Sequence, residues 1–224
     1  MYATAVSYRT ADQLNTAMAG VYKHMGLAVA TSMLVSYLVA GSQSLMALLF
    51  GTALKWVVIF APLVFVLALG FTIHKVSKPV AFGMLHGFAA LMGLSMAVIF
   101  KIYTSASIVT AFMGAAVLFG TMSFYGYFTR KSLDSLGKWM IVGLIAIIIA
   151  SIINVFIGST VAQMTISALA IVIFMGLTAY DTQRIREELS VSDSGNAEVS
   201  GALSLYLNFI NLFTSLLQLF GNKE

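Results

Sequence analysis

The chain has no cysteine, three histidines, and only 9% charged residues among its 224 positions. Without cysteine, neither a disulfide framework nor a thiolate metal site is available. The histidines lack the paired spacing that zinc requires, so a metallohydrolase is a poor fit. A lone Asp181 would also hold a hard cation weakly, because such ions want several oxygens. No His-Glu-x-x-His, Gly-x-Ser-Gly or Gly-x-Gly-Asp motif occurs, and the expectation is a protein that is not an enzyme and carries no cofactor or metal. The last apolar segment has no lysine for a Schiff base, which excludes a retinal receptor. Soluble domains carry roughly 25% charged residues, so the scarcity of charge excludes that class as well. The net charge of +4 is spread over connecting segments. That pattern reads as membrane topology, not as a nucleic-acid footprint.

What the sequence does have is hydrophobic mass: 60% of its residues and a mean hydropathy of +0.96. Helices apolar on all sides must lie in a core or in lipid, and a chain this short has too little interior to hide them. At about 20 residues per bilayer crossing, the sequence predicts spans near 22–40, 55–73, 80–100, 105–128, 139–157, 160–180 and 202–220. The expected fold is an all-α bundle of seven transmembrane helices. Residues 1–21 read as a cytoplasmic amphipathic segment, because Arg9 and Asp12 interrupt any signal-peptide core. Residues 22–220 form the membrane domain, and 221–224 a short external tail. The stretch from Asp181 to Gly201 is expected to be a true loop, flexible between Ser190 and Ser200.

Charge sets the orientation. Arg9, Lys23, Lys75, Lys78, Arg130, Lys131, Lys138, Arg184 and Arg186 fall on the side of the N-terminus. Only Lys55, Lys101 and Lys223 fall on the other. This division predicts a cytoplasmic N-terminus and an external C-terminus. Two small-residue pairs, Gly83 with Gly87 and Ala116 with Gly120, are candidates for close helix approach.

Polar groups inside a membrane are costly and are therefore functional candidates. Ser204, Asn208, Asn211, Ser215 and Gln218 are spaced four, three, four and three, which puts them on one stripe of the last helix. The stripe belongs against the bundle interior, either lining a path or joining helices. Asp181 closes the sixth span. Asn208 lies roughly 9 Å into the seventh on the same side, at about 1.5 Å per residue. Lys75, beside His74, closes the second span at that face. A carboxylate, an amide and a cation therefore share one depth, although spacing does not fix whether they meet. Asp181 and Arg184, three apart, could also form a local interfacial pair. His86 reads as a packed, hydrogen-bonded residue, and His24 as interfacial.

The segments Gly176-Leu-Thr-Ala-Tyr-Asp-Thr-Gln-Arg-Ile185 and Gly201-Ala-Leu-Ser-Leu-Tyr-Leu-Asn-Phe-Ile-Asn-Leu-Phe213 resemble the two signatures of the bacterial Bax-inhibitor family, the transmembrane Bax inhibitor motif proteins. The Phe124-Tyr-Gly-Tyr127 run, Thr129-Arg-Lys131 and Ala90-Leu-Met-Gly93 are similar to that family too. The resemblance implies a seven-helix fold with a central last helix, and a pH-sensitive calcium leak. It also implies a proton-sharing pair of aspartates on the last two spans, and a basic residue at the end of span two that locks the closed state. Carried over, these fall on Asp181 and at or next to Lys75. Asn208 stands where the second aspartate belongs. Two close carboxylates cannot easily ionise together, but an Asp–Asn pair has no such repulsion. Asp181 is therefore expected to stay ionised at neutral pH, bonded to Asn208 or paired with Lys75, Arg184 or Arg186. Two functions follow as expectations. One is a passive leak for calcium or other cations across the inner membrane, with an altered pH response. The other is a non-transporting regulator that binds other membrane proteins, such as a membrane-bound protease or stress-response machinery.

Overall fold

The computed structural model describes residues 9–191 and 195–223. It is an all-α membrane bundle with seven helices long and apolar enough to cross a bilayer. The β pairing among the described residues is one isolated bridge, Tyr103 to Lys223.

Helix α1, Ala11–Ala40, begins well before the apolar run at residue 22. The reason is a capping box: Gln13 N donates to Thr10 Oγ1 at 3.3 Å and Thr10 N donates to Gln13 Oε1 at 2.9 Å. Such a box satisfies two backbone donors that a helix start leaves open, and Ala17, Met18 and Val21 then bury one face of the early turns. A short α2, Gln43–Phe50, follows, started by Ser42. Helix α3, Leu54–Thr72, ends in a 3-10 turn, Ile73–Lys75. Pro79 opens α4, Lys78–Met96, where its missing N–H costs nothing. Then come α5, Ile99–Ile102, α6, Ser105–Phe128, and α7, Asp134–Ile157. Gly158 ends α7 with a left-handed φ of 70°, a conformation glycine adopts without strain.

The expected loop from Asp181 to Gly201 is largely helical. Helix α8 covers Thr160–Val191, and α9 covers Gly195–Phe220. Ile185 and Leu189, four apart, are buried beyond the end of the sixth apolar run, as are Ala197 and Val199 before the seventh. An apolar stripe at that spacing holds a polar segment helical. The middle of the expected flexible stretch, residues 192–194, lies outside the described residues.

The chain divides into two compact units. The first comprises the residues up to Lys101 together with Ile185–Tyr206, and the second Ile102–Arg184 with the residues from Leu207 onward. In the first unit, α4 packs on α1 at Gly93, where a Cβ would lie 2.9 Å from Val35 Cβ. Beside it, Ser32 Oγ donates to Ala89 O at 2.8 Å and lies 2.6 Å from Tyr206 Oη. A serine hydroxyl has one proton, so Tyr206 is the donor in that second bond. Lys78 pairs with Glu198 at 2.8 Å.

In the second unit, Phe209 of α9 meets Phe112 and Phe119 of α6 edge to face, with centroids 5.3 and 5.7 Å apart. Such pairs add to simple burial. Close approach here is made by glycines other than those the spacing suggested. Gly126 faces the Ala179 backbone, Gly137 the Tyr180 ring, and Gly176 the Met140 side chain. Gly83 and Gly120 have open space where a Cβ would go, and Gly87 has only Phe65 at 3.8 Å. The two expected small-residue pairs are therefore not the tight contacts. α9 is the most enclosed span, 61% buried against 11% for α7, whose exposed isoleucines and valines suit lipid contact.

Candidate functional site

Tight packing around α8 leads to the polar site. Gly126, Gly137 and Gly176 bring α6 and α7 against α8 within a few residues of Asp181. The backbone there has little room to shift. Gln183 adds a clamp: its Oε1 accepts from Leu133 N at 2.8 Å, and its Nε2 donates to Lys131 O at 3.0 Å. Thr182 Oγ1 bonds back to Thr178 O at 2.8 Å and reaches Ser123 Oγ at 3.4 Å.

Within this frame, Asp181 and Asn208 meet. Asn208 Nδ2 donates to Asp181 Oδ2 at 2.7 Å, and both residues are buried, 4% and 9% exposed respectively. On the other carboxylate oxygen, Arg184 Nη2 lies 2.9 Å from Oδ1. Arg184 also stands over the Tyr180 ring, 5.7 Å from its centroid. Each carboxylate oxygen thus faces an N–H donor, an arrangement that suits an ionised group, which is acceptor-only. Enclosed carboxylates are tolerated when paired and hydrogen-bonded in this way. The site can hold one negative charge, neutralised by one cation, with an uncharged amide beside it.

The other expected residues are distributed over both units. Lys75 is exposed at the end of the 3-10 turn in the first unit. Ser204 is half-buried, also in the first unit, and Ser215 is buried in the second. Asn211 turns its amide back to Leu207 O at 2.8 Å, so it is satisfied within its own helix. Gln218 accepts from Gln163 Nε2 at 2.7 Å and from Ser167 Oγ at 3.0 Å, joining α9 to α8 about 15 Å along the axis from Asn208. The stripe therefore contains one charged site and one helix-joining cluster. His86 Nδ1 lies 2.8 Å from Thr31 Oγ1, and His24 and His86 each meet the edge or face of Phe82. Among the described residues, no three His, Asp or Glu side chains converge as metal ligands would.

Sequence reasoning missed Gln183 and the three packing glycines. Gln183 sits in the polar run beside Asp181, but its partners are some fifty residues away. Nothing local distinguishes Gly126 from Gly120.

Residues 14–224 match the family described as inhibitor of apoptosis-promoting Bax1. The chain is 37% identical over 218 residues to the inner membrane protein YbhL of Escherichia coli (strain K12), covering 94% of this chain and 93% of that protein. It is 38% identical over 216 residues to the uncharacterized protein YrjE of Lactococcus lactis, covering 94% and 92%. An uncharacterized protein of Deinococcus radiodurans is 33% identical over 220 residues, covering 96% and 94%.

Proposed function

The chain belongs to the Bax-inhibitor family of multi-pass membrane proteins, and from that premise we propose that it is a passive cation leak, with calcium as the ion. The path runs beside the last helix, and Asp181, Asn208 and Arg184 form its gate. The carrying observation is the enclosed carboxylate held between Asn208 Nδ2 and Arg184 Nη2. A single ionised acid within α8 offers a cation a negative charge, and its two partners decide whether that charge is free. With an amide in place of a second carboxylate, no proton is shared between two acids, and the leak varies little between about pH 6 and about pH 8. The protein is not an enzyme in this reading. It sits in the inner membrane, as the name of its Escherichia coli relative says of that protein. Its N-terminus is cytoplasmic and its C-terminus external, following the charge bias.

The same pairing favours a second reading. A carboxylate with both oxygens engaged offers little to a passing cation, as suits a regulator that binds other membrane proteins and transports nothing. Calcium flux into liposomes separates the two. A leak gives flux above protein-free liposomes that changes in Asp181→Ala. Flux at the protein-free level in the natural protein, in Asp181→Ala and in Asn208→Asp overturns the leak and leaves the regulator.

A further inference from the structure

The turn between α6 and α7 carries Arg130 and Lys131, and Lys138 stands one turn into α7; all three are exposed. Among the described residues none of the three forms an ion pair. The nearby carboxylate, Asp134, accepts from Ser132 Oγ at 2.9 Å within its own turn. Three cations against one anion leave the patch positive. The amino end of α7 adds the positive pole of its helix dipole.

Large aromatic groups flank this charge. Phe124, Phe128 and Trp139 are 66%, 62% and 70% exposed. Basic groups next to exposed aromatic rings at the end of a membrane helix suit the level where headgroups meet acyl chains. A soluble anion would use the charge and leave the rings bare, whereas a phospholipid uses both. The turn is also rigid, since Gln183 holds it at Leu133 N and at Lys131 O. Gln183 lies two residues from Asp181 on the same helix.

We propose that this turn is a binding site for the headgroup of an anionic phospholipid. Arg130, Lys131 and Lys138 engage the phosphate, and Trp139 with the two phenylalanines covers the upper acyl chains. Through Gln183, the occupied site braces the segment of α8 that carries Asp181. Lipid binding stands without the leak; only its effect on the gate rests on that reading.

Trp139 supplies the probe. In a Trp56→Phe background it is the one tryptophan, and its fluorescence in vesicles can be quenched by brominated lipid. Each basic group near an anionic headgroup enriches it on the order of fivefold. At equal mole fraction, brominated phosphatidylglycerol is therefore expected to quench at least roughly twofold more than brominated phosphatidylcholine. The combined variant Arg130→Gln, Lys131→Gln, Lys138→Gln should lose that preference. The variant Lys55→Gln, Lys101→Gln, Lys223→Gln, which removes the lysines of the opposite side, should keep it. Soluble glycerol phosphate should not reverse the quenching. Equal quenching by the two lipids, an unchanged preference in the first variant, or loss of preference in the second would each overturn the site and leave only topology-setting charge. For the coupling, Gln183→Ala should keep the lipid preference while abolishing any difference in calcium flux between phosphatidylglycerol and phosphatidylcholine liposomes. A flux difference that survives in Gln183→Ala overturns the brace. If no liposome shows flux, the leak reading fails, and the fluorescence still decides the lipid site.

Discussion

Asn208 can serve Asp181 only as a donor: turned over, its amide oxygen would meet the carboxylate, and two acceptors would repel. Its Nδ2 sits 2.7 Å from Oδ2 in an enclosed site, so replacing Asn208 by leucine strips one carboxylate oxygen of its donor. Leaving a buried acceptor unsatisfied costs about 1–3 kcal/mol. Thermal unfolding in detergent should show Asn208→Leu destabilised by that order. Asn211→Leu should be nearly neutral, because the Asn211 amide returns to the carbonyl of Leu207 in its own helix. Equal losses in both would contradict the distinction. At this scale the sequence was informative where polar residues are scarce. Asp181 and Asn208 stand out because lipid penalises them. Gln183 does not stand out, because its role depends on a turn some fifty residues earlier.

Among elements, α6 offers two glycines six residues apart with opposite surroundings. A Cβ at Gly126 would press into the Ala179 backbone, which cannot rotate aside, whereas a Cβ at Gly120 would meet open space. Gly126→Ala should therefore destabilise by about 1–3 kcal/mol, as overpacking does. Gly120→Ala should be neutral or stabilising by up to about 1 kcal/mol, since alanine is the better helix former. Melting temperatures of the two variants in one detergent test this, and similar shifts would refute it. The existence of all seven spans was legible from apolar length. Several ends were legible too, as with α6, Ser105–Phe128, but the start of α1 and the end of α8 were not. Thr10 extends α1 by a capping box with Gln13, and Ile185 and Leu189 carry α8 through residues that composition alone assigns to a loop. Single-sequence spacing likewise marks small residues without saying which of them faces a neighbour.

For the whole molecule, two properties follow from charge. The first is orientation: nine Lys and Arg residues on one side and three on the other predict that a reporter fused after Glu224 reads external, and a cytoplasmic signal would reverse the topology. The second is the response to pH, where the central claim lies. Asn208→Asp places a second carboxylate against Asp181, and two such groups titrate as a coupled pair. Calcium flux into liposomes, measured from about pH 6 to about pH 8 for the natural protein and for Asn208→Asp, tests this most directly. The account predicts a nearly flat profile for the natural protein and a pH-dependent step for Asn208→Asp. A steep transition in the natural protein, or the same profile in both, would contradict it.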